Sequence, residues 1–211
     1  MKVGINGQRR LAGALLLVGL SAAACGEQTA ADPDGRTVAT TAASKSTPES
    51  ILQAFQFLAY DYTPVKSASE LEGRAEIAIR GSIDAVVPGR IRGATRIDDV
   101  WAARSSGVAV RITESLKGPY DRGEIIWIEL SVTPDLLQDS FVQGMPIEAY
   151  LVPAQKGTPE FPYGDDGSKI PSEAALWSPA HAQGIAVEYG DGTGTVTPLT
   201  HEVDPGESVS D

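Results

Sequence analysis

One cysteine and two histidines are all that this chain of 211 residues contains of either type. A lone thiol cannot form an internal disulfide, so a hydrophobic core must hold the fold. Zinc sites recruit several His or Cys ligands, and Cys25, His181 and His201 do not supply an ordinary set. No metal or cofactor is therefore expected from these residues. Long apolar runs are missing too. The stretch from residue 11 to 24 is shorter than the roughly 20 residues that cross a hydrocarbon core of about 30 Å. No glycine-rich stretch ends in Gly-Lys-Ser/Thr, so a phosphate loop of that kind is absent. No serine sits in a Gly-x-Ser-x-Gly elbow. Basic residues are scarce: 17 Lys and Arg face 28 Asp and Glu, a formal charge of −11. That balance opposes nucleic acid, whose binding rests on neutralised phosphates. It also opposes adhesion to anionic lipid through a basic patch.

What the N-terminal end does contain is ordered. Lys2, Arg9 and Arg10 precede the apolar run Leu11 to Ala24, and Ala22, Ala23 and Ala24 precede Cys25. Charged, apolar and small regions in that order read as a secretory leader. The alanines before Cys25 resemble a bacterial lipobox, although Ala22 stands where leucine is most frequent. The resemblance implies cleavage before Cys25 and acylation of its sulfur. Plain secretion with a free thiol is the alternative. Removing residues 1–24 takes three of the 17 basic residues, leaving 14 against 28 acidic ones and a formal charge of −14.

Residues 25–46 carry no aromatic and almost no large aliphatic side chain. They cannot bury enough apolar surface to offset the entropy of ordering. A flexible tether is expected there, with a typical reach of roughly 25 Å. Residues 47–200 are expected to form one domain, and 201–211 a disordered acidic tail.

Thr47, Pro48 and Glu49 read as the start of a helix with Ile51, Phe55 and Leu58 on one face. Ser67-Ala68-Ser69-Glu70 has the capping-box pattern, with Leu71 as anchor and Gly73 as stop. The period then changes to two. Ile77, Ile79 and Ile83 alternate around Gly81, where a bend or bulge is expected. Val108, Val110 and Ile112 mark a second strand. Residues 124–132 form a third, apolar on both faces, with Trp127 in the core. Residues 145–153 form a fourth, 185–189 a fifth, and Gly190 to Gly192 a hairpin turn into residues 195–199. Residues 155–183, rich in Gly, Pro, Asp and Ser, read as a long loop. Strands follow strands without intervening helices. The expected fold is therefore all-β: a small antiparallel OB-like barrel of five to six strands behind one or two short helices.

Several of these residues carry a resemblance. Ser69-Glu70-Leu71 leading into Ala75-Glu76-Ile77-Ala78-Ile79-Arg80-Gly81-Ser82-Ile83 is similar to the opening of a netrin-like module. That is the OB-like barrel of the tissue inhibitors of metalloproteinases. Leu116-Lys117-Gly118 matches its hydrophobic-Lys-Gly turn, and Glu124 to Val132 its following apolar strand. Residues 183–188 with Asp191-Gly192 look more like small lipoproteins of unknown function built on the same barrel. The resemblance spans roughly residues 67 to 153 and implies the fold alone. Inhibition in that family needs an N-terminal cysteine with a free amine and packing disulfides. Neither is compatible with an acylated Cys25 and no second cysteine.

No catalytic residue is named by any motif. His181 and His201 read as loop-packing or exposed. Asp165-Asp166-Gly167-Ser168 and Gly190 to Gly194 place hard oxygens in turns but do not match a calcium loop. Trp101 and Trp177 read as loop residues, and both are candidates for ligand contact. The expected function is an envelope-anchored lipoprotein, held on the extracytoplasmic face of the cell membrane by lipid on Cys25. Its domain would be a non-enzymatic module binding a protein or glycan partner. The alternatives are an extracytoplasmic hydrolase with a carboxylate site in the 155–183 region, and a calcium-responsive surface protein.

Overall fold

The computed structural model describes residues 46–58, 61–190 and 192–204. Residues 1–45, with Cys25, the leader and all of the expected tether but Ser46, and residues 205–211 lie outside the described residues; Ser46 itself is buried and its hydroxyl donates to the Ser140 carbonyl at 2.7 Å, so it belongs to the domain and not to a tether. The first element, α1, is Pro48–Phe55. Its start is chemically determined. The Thr47 hydroxyl accepts from the Ser50 N–H at 3.2 Å, and the Ser50 hydroxyl accepts from the Thr47 N–H at 3.1 Å. Two of the helix's orphan donors are satisfied in this way. Helix α2, Ala68–Arg74, is capped by the Ser67 hydroxyl. The Glu70 carboxylate reaches one residue further back than the sequence pattern implies, to the Lys66 N–H at 3.1 Å.

Strands dominate the rest. They are β1 (Ile77–Arg92), β2 (Ala103–Lys117), β3 (Ile125–Leu130), β4 (Pro146–Pro153), β5 (Tyr163–Gly164), β6 (Leu176–Pro179), β7 (Ile185–Tyr189), β8 (Gly194–Thr197) and β9 (Glu202–Asp204). Together they make one mixed sheet, so the fold is all-β as expected, but with nine strands rather than five to six and with one parallel pair where all were expected antiparallel. The pairings run from β1 to β2, β3, β6 and β4, and β4 pairs again with β1. Only β3 and β6 are parallel within that cycle. Strands β7, β8 and β9 continue outward from β4.

Gly81 is where β1 can serve both neighbours. The β1–β2 register shifts between Arg80 and Gly81. A Cβ at Gly81 would stand 2.6 Å from both the Arg111 carbonyl oxygen and Val110 Cγ1. Only glycine permits that approach, as the sequence pattern indicated.

The enclosed core is aliphatic. Ile79, Ile83, Val108, Val110, Ile112, Ile128, Leu151 and Ile185 are fully buried. Each such side chain contributes on the order of 1.5–3 kcal/mol. Helix α1 packs on this core, and its Phe55 meets Phe141 with ring centroids 5.8 Å apart. Phe141 follows α3 (Pro134–Gln138), a helical turn inside what the sequence pattern marks only as a loop. A smaller cluster of Leu71, Ala75, Ala78 and Tyr150 lies under α2.

Other local expectations need correction. Residues 155–183 are not all loop, because β5 and β6 lie within them; single pairings of two to four residues leave no periodicity to read. Trp127 is half-buried on the outer face of β3, not in the core, because Ile126 and Ile128 take the inward positions. The tail does not begin at His201: Glu202–Asp204 pair with Thr195–Thr197, and these backbone hydrogen bonds need no apolar side chains.

Candidate functional site

Residues 154–175 fold back over the outer face of the β1–β2 ribbon. β5 pairs with the end of β1, placing Tyr163 opposite Arg92 and Gly164 opposite Ile91. The Gly93 N–H donates to the Pro162 carbonyl at 2.9 Å, and the Lys169 N–H to the Pro88 carbonyl at 2.8 Å. Arg104 also donates to the Asp166 carbonyl at 2.8 Å. Ile170 lies against Gly107, where an added Cβ would meet it. A polar cluster forms beneath this strap.

Arg90 and Arg92 are two apart on β1 and so share a face. Both guanidiniums stack on Tyr163, at 4.7 Å and 5.4 Å from the ring centroid. Glu129, on the outward face of β3, is buried, and Arg90 grips its carboxylate through Nε at 3.0 Å and through Nη2. The Ser105 hydroxyl lies 2.8 Å from the same carboxylate. Burial alone would pull the Arg90 guanidinium down. The hydrogen bonds and charge of Glu129 outweigh that, and hold Arg90 above its ordinary value. Arg90 and Glu129 therefore neutralise each other.

Arg92 is different. It donates from Nε to the Tyr163 hydroxyl at 3.2 Å and from Nη1 to the Ser131 hydroxyl. No carboxylate among the described residues lies within ion-pair range of it. Its Nη2 hydrogens have no acceptor among the described residues. The hydroxyl hydrogens of Tyr163 and Ser131 are also uncommitted, since both oxygens act as acceptors from Arg92. Arg92, Tyr163 and Ser131 line a cleft of about 290 Å³ whose apolar walls include Val152, Pro153, Pro179 and Leu199.

His181 borders the same cleft. Its Nδ1 accepts from the Gln183 N–H at 3.1 Å, so its Nε2 carries the proton and donates to the Thr63 carbonyl at 3.1 Å. Neither ring nitrogen is spare for proton transfer in this arrangement. His201 Nε2 donates to the Phe55 carbonyl at 3.1 Å.

The two candidate tryptophans separate. Trp101, in the β1–β2 loop, is 80 % exposed. Ile97 and Val100 beside it are exposed as well, and so is Phe161 from the strap. Trp177 is not a loop residue: it lies in β6, only 8 % exposed, and joins the core. Its Nε1–H has no hydrogen-bond partner among the described residues, and Tyr120 meets its ring edge-to-face at 6.1 Å. It is not presented by a loop as the sequence suggested, because β6 is held between β3 and β4. Cys25 lies outside the described residues.

The acidic residues of the strap, Glu160, Asp165, Asp166 and Glu173, are all exposed. Asp165 makes an ordinary turn, its carbonyl accepting from the Ser168 N–H at 2.9 Å. Among the described residues no three His, Cys, Asp or Glu side chains gather as a metal-ligand set. No described helix is long and apolar enough to cross a membrane.

Arg90, Arg92, Glu129 and Tyr163 carry no motif. One signal was present: Glu129 interrupts the apolar run of β3, and a buried carboxylate needs a cation. Which cation could not be read, because β1 and β3 are not paired neighbours. Comparison with known proteins adds nothing to this geometry: no family model, no curated protein and no solved structure matches the chain.

Proposed function

We propose that this chain is an envelope-anchored lipoprotein whose β domain is a non-enzymatic binding module. Acyl chains on Cys25 hold it to the extracytoplasmic face of the membrane. The tether lets the domain meet ligands within roughly 25 Å of its anchor. The cycle β1–β2–β3–β6–β4 is read as an OB-like barrel, a five-stranded design that binds through its loops and one strand face. The netrin-like resemblance supports that fold and no activity.

The observation that carries the binding reading is Arg92. A guanidinium without a counter-charge among the described residues, beside two hydroxyls with uncommitted hydrogens in a small apolar-walled cleft, is arranged to receive an acceptor group. A binding role is favoured over hydrolysis by the state of the other groups. Glu129 is held by Arg90 and Ser105, and His181 spends both nitrogens on backbone atoms.

Fractionation with intact-mass measurement tests the anchoring. The native chain should pellet with membranes as a species beginning at an acylated Cys25. Cys25→Ala should lose the acyl mass and move to the soluble fraction. Recovery of uncut, unacylated chain from the cytoplasm would overturn this assignment.

A further inference from the structure

The chemistry around Arg92 restricts what the cleft can hold. The site offers one net positive charge, since Arg90 and Glu129 cancel. It lies in a chain of formal charge −11, and Asp165 contributes to the field at Arg90. A doubly charged phosphate would meet one cation and a repulsive surround. A carboxylate brings one charge and two oxygens. Arg92 Nη2, the Tyr163 hydroxyl and the Ser131 hydroxyl can all donate to it.

Beyond the charge, the surroundings are apolar. Val152, Pro153, Pro179 and Leu199 wall the cleft. From Tyr163 an aromatic track leads outward, with the Phe161 ring 5.8 Å away in an edge-to-face contact. Phe161 is half-exposed and stands against Gly93, whose φ of +81° turns the chain out of β1. Gly93 also abuts the Trp101 carbonyl. The single cation therefore sits at one end of an apolar path toward the β1–β2 loop. A charged terminus followed by apolar side chains matches that order. An acidic sugar matches the charge but offers hydroxyls to the aliphatic walls.

We infer that the cleft captures the C-terminal carboxylate of a peptide whose last residues are apolar. Carboxylate capture of this kind is a recurring mode of peptide recognition. The inference rests on the cleft being the binding site proposed above. Arg92 supplies the charge, and Tyr163 and Ser131 supply neutral donors.

The test uses the full chain in detergent and three probes. The first is a short dye-labelled peptide ending in two leucines with a free carboxylate. The second is the same peptide amidated, and the third an oligomer of hexuronic acid. Fluorescence anisotropy should show the free acid bound at least about tenfold tighter than the amide, as expected for loss of a hydrogen-bonded charge. Arg92→Gln should erase that preference. Tyr163→Phe, which removes one hydroxyl and keeps the ring, should weaken the free acid several-fold and leave the amide unchanged. Arg96→Gln, at an exposed pair with Asp98, should change nothing. Equal binding of acid and amide overturns the inference. So does a preference that survives both Arg92→Gln and Tyr163→Phe. Uronate binding that needs Arg92, without peptide binding, overturns the peptide assignment and keeps the cleft as a binding site. Binding of no probe removes both.

Discussion

The Arg90–Glu129 pair offers the sharpest test of the energetics. Glu129 accepts from Arg90 Nε at 3.0 Å, from Arg90 Nη2 and from Ser105 at 2.8 Å. The side chains are only 14 % and 6 % exposed. Solvent therefore screens little of the interaction. Glu129→Gln keeps the shape and removes the charge. Its amide NH₂ would also turn a donor toward Arg90 or Ser105. Removing one partner of a buried pair costs about 3–5 kcal/mol. Arg90 keeps a bond to the Gln155 carbonyl at 3.0 Å, which places the cost at the low end, about 3 kcal/mol. For a domain of this size that is a fall of roughly 10 °C in Tm. The double variant Arg90→Met with Glu129→Leu removes both charges and should recover most of the loss. Denaturant unfolding of the native chain, Arg90→Met, Glu129→Leu and the double variant gives the coupling. A cost below about 1 kcal/mol for Glu129→Gln would refute the reasoning. Strictly additive costs in the double variant would refute it as well.

Two further outcomes are expected. Gly81→Ala should destabilise by about 2 kcal/mol or more, because backbone oxygen and a buried valine methyl oppose the new Cβ; Gly107→Ala should cost distinctly less, since the far end of Ile170 can swing aside, and urea midpoints compare the two. Burial, with a hydrogen bond to Glu148, pushes the Tyr150 hydroxyl from 10.0 up to about 12. Its neutral form is thus favoured by folding, so stability is intact below pH 10 and falls as pH rises toward 12. Unfolding measured across that window should show a smaller fall in Tyr150→Phe, and identical pH slopes would count against the burial argument.

Much of the scaffold is local and therefore legible. The Thr47 cap, the Ser67 cap and the alternating isoleucines of β1 act within a few residues of themselves. Gly81 announces a bend because any side chain there would collide. What escaped was either short or long-range. β5, β6 and β9 are held by backbone pairing, which leaves no side-chain period. Trp177 looked like a loop residue because the strand around it is only four residues long. Trp127 looked like core because a continuous apolar run does not say which alternate face points inward.

The amino-acid order alone determined the all-β class, the helix caps, the bend at Gly81 and the acidic charge, because each depends on neighbours in the chain or on composition. Only the tertiary structure decided that Arg90 meets Glu129 while Arg92 meets no carboxylate among the described residues. Each of those side chains is 39 positions from its acceptor, Glu129 on β3 for Arg90 and Ser131 just after it for Arg92. Their meeting depends on strand order and on a strap folding back over β1. Charge at a distance along the chain carries no record of charge at a distance in space.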